Sequence, residues 1–171
     1  MDTSDFVLQS VPPDGPRPLL LVRIKAHRMN PYYFTILSME FFGPRVHWTG
    51  ERTSPCFKAR EKCPGCKLKA PGKWLGYLHC LDEHGKECLL ELTNRAAKML
   101  LASVPKNRVL RGLKISVQRT EGGKHGRLCA TCCGVVPNQQ ALPAPKDPLH
   151  TLLYLWGLKE DLDEPWSELL A

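Results

Sequence analysis

Four residues with soft or borderline donor atoms occur within twenty positions, in the order His47, Cys56, Cys63 and Cys66, and the last two bracket a Pro-Gly turn. No other feature restricts the fold as much, because three thiols and an imidazole gathered at one point fix the path of the chain between them. Zn²⁺ takes four such ligands in a tetrahedron, and a Cys-x-x-Cys turn presents two sulfurs to one metal with little strain. His47, Cys56, Cys63 and Cys66 are therefore the expected ligands of one structural zinc ion per chain. The competing explanation is a set of free or buried thiols, with His47 flanking Trp48 on a strand.

A chain of 171 residues holds one domain with a sizeable core plus tails. No apolar run reaches the roughly 18 residues that span a bilayer, and MDTSDFVLQS has neither the basic nor the hydrophobic part of an export signal. The expected compartment is the cytoplasm of a bacterium or a phage-infected cell. Eight cysteines in that setting are reduced or metal-bound rather than paired in disulfides. Charge is unevenly spread. Residues 159–171 carry one Lys against five acids, net −4, which leaves 23 bases against 12 acids upstream, net +11. A basic body is the electrostatic footprint of a polyanion partner, although a merely well-hydrated surface would read the same way.

Residues 1–17 hold three prolines and no apolar periodicity and read as a flexible leader. Leu20, Val22, Ile24 and Ala26 then alternate with Arg23, Lys25 and His27, the period of a half-buried strand with a basic outer face. Tyr32 to Phe42 is rich in aromatic and β-branched residues and reads as more strand, after which Arg45 to Arg52 leads into a metal module spanning 47–73. Trp74–Leu81 and Lys86–Leu92 form a hairpin around Asp82-Glu83-His84-Gly85. Thr93 caps a helix whose apolar stripe runs from Ala96 to Val104 and which Pro105 stops. Strands follow at Leu113–Val117 and Arg127–Val136, then a Pro-rich linker at 137–148 and a C-terminal helix with an acidic tail at 149–171. The succession β-β-β-α-β-β predicts a mainly β fold, an OB-fold-like five-stranded barrel over 18–136 with the zinc loop inserted between its first two strands. A small α+β domain with a zinc ribbon has a similar list of elements.

Six bases, Lys58, Arg60, Lys62, Lys67, Lys69 and Lys73, surround the metal motif with one acid, Glu61. Such density draws phosphates, and interleaved aromatics offer stacking to the bases of a single strand. The expected nucleic-acid contacts are these six together with Arg23, Lys25, Tyr32, Tyr33, Trp74, Tyr77, Lys124 and Arg127. Phe34, Phe41 and Phe42 read as core. In the tail, Asp161, Asp163, Trp166, Leu169 and Leu170 combine phosphate-like charge with apolar anchors, suited to competing for the basic groove or to hooking a protein partner. Cys129, Cys132 and Cys133 are not expected to hold a second metal, because on a strand Cys129 and Cys132 face opposite ways. Cys80 and Cys88 lie on opposite arms of the hairpin, where they could approach each other. No His-x-Glu precedes the Cys-x-x-Cys as a zinc deaminase requires, and no phosphate loop, His-Glu-x-x-His or Gly-x-Ser-x-Gly is present. Four protein ligands also leave a metal no open position, so no enzyme activity is expected.

An imidazole followed by three cysteines ending in Cys63-Pro64-Gly65-Cys66, in a basic OB-like domain with an acidic tail, resembles the zinc-containing single-stranded DNA-binding proteins of T-even bacteriophages. The resemblance covers residues 18–136 and the tail. It implies His47, Cys56, Cys63 and Cys66 as zinc ligands, a protein that coats exposed strands in replication, recombination or repair, and a tail that recruits partner enzymes. The expected function is binding of single-stranded nucleic acid, DNA in preference to RNA, with no membrane association. The alternative is a zinc-stabilised adaptor that docks onto a larger nucleoprotein enzyme of a phage or mobile element.

Overall fold

The computed structural model describes residues 18–25, 30–50, 52–57, 63–120 and 126–158. Among them are eight strands, β1 (Leu20–Val22), β2 (Tyr32–Ile36), β3 (Arg45–Trp48), β4 (Thr53–Pro55), β5 (Gly72–Leu81), β6 (Glu87–Thr93), β7 (Leu113–Arg119) and β8 (Leu128–Val135). Three helices join them, α1 (Pro64–Lys67), α2 (Asn94–Ser103) and α3 (Pro148–Trp156). None is long and apolar enough to cross a membrane. The fold is mainly β, a mixed sheet in the order β1-β6-β5-β2-β7-β8, with β3 branching from β5 and β4 from β3. All pairs are antiparallel except β1 with β6.

Alternate residues of β5 and β6 feed two separate cores, as the two-residue period of a strand requires. Leu78, Cys80, Cys88, Leu90 and Leu92 face α2 and pack with Ile36, Ile115 and Leu100. Leu75, Tyr77 and Leu89 face the other way and are covered by Leu152, Leu153 and Trp156 of α3. The hairpin and α2 stand where the sequence puts them. Asp82 accepts the amides of His84 and Lys86, and Thr93 Oγ1 accepts the amide of Ala96 at 3.3 Å as the N-cap of α2.

Several expectations need correction. The first strand has only three residues; Leu20 is 59 % exposed, while Leu19 and Leu21 turn toward α3 and Ile24 toward α2. Ala26 and His27 lie outside the described residues. The strand expected over Tyr32–Phe42 breaks after Ile36, because the amides of Leu37 and Ser38 both donate to the His79 carbonyl, and the chain rejoins β5 only at the Phe42–Tyr77 bridge. Arg45 to Pro55 is a hairpin of its own, and the Cys-Pro-Gly-Cys turn carries a single helical turn, α1. The sheet is not closed into a barrel. The two regions that closure would join are bridged by one side chain: Arg119 donates to the carbonyls of Ile24, past β1, and Gly126, before β8.

Residues 137–148, read from sequence as a linker, form a strap tied to the sheet. Arg111 donates to the carbonyls of Leu142 and Pro143, and His79 Nδ1 accepts the Lys146 amide at 3.0 Å. That acceptor role fixes the proton on Nε2, which donates to Glu87 at 2.9 Å, while Lys146 Nζ pairs with the same carboxylate at 2.5 Å. Burial, its largest cause, lowers the His79 pKa, and the hydrogen bond and charge of Lys146 lower that of Glu87. Both groups are depressed in the folded state, so each contributes stability above its unfolded pKa that is lost as the pH falls through the folded value. Thermal stability should therefore decline from about pH 6.5 downward, first through His79 and then through Glu87. His79→Gln should be less stable at pH 7.5 and lose less on acidification to pH 5. An unchanged acid slope of the melting temperature in that variant would show that this clasp does not carry the effect.

Candidate metal centre and the basic depression beside it

Each element of the metal module contributes a ligand because of where its backbone runs. β3 lies against β5 with His47 opposite Gly72, β4 delivers Cys56 just past Pro55, and α1 opens at Cys63 and holds Cys66 in its only turn. The ligand atoms of His47, Cys56, Cys63 and Cys66 all lie within 4.8 Å of one another, close enough to hold one metal ion. Cys56 Sγ is 3.8 Å from Cys66 Sγ, which in turn is 3.5 Å from His47 Nε2. A zinc tetrahedron with bonds of about 2.3 Å to sulfur and 2.0–2.1 Å to nitrogen has edges of about 3.8 Å and 3.6 Å. The Cys56–Cys66 and Cys66–His47 edges of the quartet thus match those of a zinc tetrahedron.

The surroundings prepare the ligands. His47 Nδ1 lies 2.8 Å from the Ala70 carbonyl, which can only accept, so the ring proton sits on Nδ1 and the Nε2 lone pair is left for a metal. Burial raises the Cys63 thiol, but the amides of Cys66, Phe57 and Gly65 aimed at its sulfur outweigh that and bring its pKa below the ordinary value. Cys56 is pushed up to about 11 by burial and by the two neighbouring sulfurs, a crowding of like charge that a bound cation removes. Gly65 has a second role beyond the turn: a Cβ there would lie 2.3 Å from His47 Cγ. The imidazole is buried and hydrogen-bonded and has nowhere to move. Gly65→Ala should therefore weaken metal binding by roughly 10- to 100-fold, the usual cost of disturbing a ligand's support. Competition with a chromophoric chelator measures it, and an unchanged affinity would mean the ring has freedom the contacts do not suggest.

Three of the four ligands, His47, Cys56 and Cys66, also line an open depression of about 490 Å³ whose rim, among the described residues, carries Arg45, Lys67 and Lys69 and no acid. Lys67 and Lys69 are exposed, as expected, and so is Lys73, but Lys73 alternates with Trp74 on β5 and projects to the other side of the sheet. Lys58, Arg60, Lys62 and Lys124 lie outside the described residues, as do the tail residues Asp161, Asp163, Trp166, Leu169 and Leu170. Arg23 is engaged with Glu91 at 3.0 Å. Tyr77 is a correction: it is fully buried under α3, donates to Glu91 at 3.2 Å, and has its pKa raised by that burial, so it offers no ring to a ligand. Tyr32 packs against the α2-side core, and Tyr33, 48 % exposed, stands on the opposite face of the sheet from Trp74. Lys25 and Arg127 are exposed at the ends of their strands, away from the metal ligands in sequence and in pairing.

Trp74 is half-buried and rests on glycine. A Cβ at Gly43 would lie 2.4 Å from its Nε1 and one at Gly76 2.5 Å from its far ring carbon, while Phe41 meets it edge-on at 6.1 Å and 67°. Arg45 pairs with Trp74 across β3 and β5, and a Cβ at Gly72 would lie 2.4 Å from the Arg45 Nε. Sequence reasoning missed Arg45; Phe41, read as core, does pack against the α2-side core and meets Trp74 as well. The alternation Gly72-Lys73-Trp74-Leu75-Gly76 was the available signal, since it puts two bare positions and one large ring on a single strand face.

The remaining cysteines do not form a second cluster of metal donors among the described residues. Cys80 and Cys88 face each other in the ladder, but burial raises Cys80 well above its ordinary pKa and Cys88 to about 12, which keeps both protonated and unreactive. Cys133 is the extra residue of an irregularity in β8 opposite Lys114 and Ile115, so Cys132 and Cys133 do not alternate regularly. Compared with models of protein families, with curated proteins and with solved structures, the chain matches none.

Proposed function

We propose that this chain is a single-stranded nucleic-acid-binding protein, preferring DNA to RNA, whose four-ligand centre holds zinc for structure and whose surface performs no catalysis. The observation that carries this reading is the depression beside the metal centre, lined among the described residues by Arg45, Lys67 and Lys69 and no acid, around a scaffold that one ion would make rigid. The strand path β6-β5-β2-β7-β8, with α2 between β6 and β7, supports an OB-like arrangement in which β2 and β3 together act as the first strand. In that arrangement the metal module is the connection between strands 1 and 2, and residues 120–127 connect strands 4 and 5, the two loops that hold oligonucleotides in such folds. α3 covers the outer face of β5 and β6, so the strand runs over the metal module instead of across that face. The likeness to the zinc-containing single-stranded DNA-binding proteins of T-even phages supports the same assignment, in the cytoplasm of a bacterium or an infected cell. Titration of a fluorescent oligothymidylate with the zinc-loaded chain at low salt tests it, and absence of binding overturns it.

A second reading, a zinc-stabilised adaptor, is favoured by a different surface. Met39, Leu101 and Val109, each about half exposed, line one groove with Phe41 and Val104. Clusters of this kind mark protein contacts more often than nucleic-acid contacts. An adaptor would leave the oligonucleotide unbound.

A further inference from the structure

We infer that Trp74, Phe41 and Arg45 form a subsite for one nucleotide, in which the base stacks at the Trp74 ring and its phosphate meets Arg45. This rests on the nucleic-acid reading above and adds a base-binding position to a depression that, by itself, offers only charge.

In the interior of a strand a glycine costs about 0.5–1 kcal/mol relative to alanine, and it marks a place where something approaches the backbone closely. Gly76 lies inside β5, and Gly72 at its first residue and Gly43 just ahead of β3 are bare as well; the indole of Trp74 lies over Gly43 and Gly76, and the guanidinium of Arg45 crosses Gly72. Phe41 closes one side of the indole at an angle near perpendicular. The Trp74 ring lies close over the backbone at both of its ends, with Phe41 against it, and keeps part of its surface in solvent. A ring recruited only for packing needs no such seat, and the cores on either side of β5 are filled by leucines that have none. Trp74 and Arg45 are register partners on adjacent strands and share a face. That spacing, about 5 Å between Cβ atoms, suits a base on one and its own phosphate on the other. A preorganised ring loses little freedom when a base arrives, which is where such a seat helps binding.

The test compares an oligothymidylate with an abasic strand of the same length, both titrated into zinc-loaded wild type, Trp74→Phe and Trp74→Leu. Folding of each variant is checked by circular dichroism and metal content. Wild type should prefer the strand with bases, and Trp74→Leu should lose about 5- to 150-fold on that strand, the worth of one stacked base, while binding the abasic strand as wild type does. Trp74→Phe, which keeps a ring over the same glycines, should fall between them and decides the matter if the leucine variant does not fold. A preference identical in wild type and the folded variants overturns the subsite while leaving the nucleic-acid reading intact. Failure of wild type to bind either strand overturns both.

Discussion

Purified protein should contain one zinc ion per chain, and removing it should release β4 and α1 while leaving the sheet folded. The reason lies in what else holds each piece. β3 pairs with β5 and buries Val46 completely, so it has support apart from the metal. α1 is four residues long and buries only Gly65, and β4 pairs solely with β3 over three residues. Neither has enough apolar surface to offset its chain entropy. Structural zinc sites in small peptides bind with an apparent ~10–16 kcal/mol at neutral pH, most of which is folding energy. If only about 4 kcal/mol of that is coupled to the whole domain, the melting temperature falls by roughly 8–16 °C on chelation. Hydrogen exchange should locate the loss between residues 53 and 71. Cys63→Ser should reproduce it, since that residue is wholly buried and its thiolate is a ligand of the site. Metal-free protein from zinc-replete cells, with Cys63→Ser melting like wild type, would remove the centre from the account.

Affinity for an oligonucleotide should fall about 20-fold between 50 and 200 mM salt through Arg45, Lys67 and Lys69 alone, because each phosphate contact to a single strand contributes about 0.7 to the logarithmic slope. Replacing all three with glutamine should make the slope shallower by about 2. The three side chains are exposed, so the substitutions leave packing alone and act through charge. Lys73, which projects to the other side of the sheet, should change the slope little when replaced. A triple variant that keeps the wild-type slope places the strand somewhere other than this depression.

How much of this was legible in the sequence depends on how local the determinant is. The Asp82–Gly85 reversal, the Thr93 cap and the four-residue metal motif rest on chemistry within a few positions, and all three are found where the sequence puts them. Arg45–Trp48 and Thr53–Pro55 are too short and too mixed in polarity to show a period, and the helical turn at Pro64–Lys67 is too short to show one, with Gly65 inside it a poor helix former. The faces of β5 were the harder problem. Both sides of that strand are covered along much of its length, so alternation alone could not say that Tyr77 turns under α3 while Trp74 stays at the surface. The parallel pairing of β1 with β6 joins residues nearly seventy positions apart, a choice made by the packing of both cores and not by any local signal.

The strap has a consequence for the residues that follow it. His79 and Arg111 fix the start of α3, and α3 stops at Gly157, which takes a left-handed conformation (φ 67°) beside the Arg52 side chain at the edge of the metal module. The acidic segment 159–171 therefore follows a helix end fixed beside the metal module. Thirteen residues can extend at most about 45 Å, enough to reach across a domain of this size. A short tether of this kind presents its end at an effective concentration in the millimolar range. An intramolecular contact that would be negligible between separate molecules, with a dissociation constant near a millimolar, is then occupied about half the time, and it does not weaken when the protein is diluted.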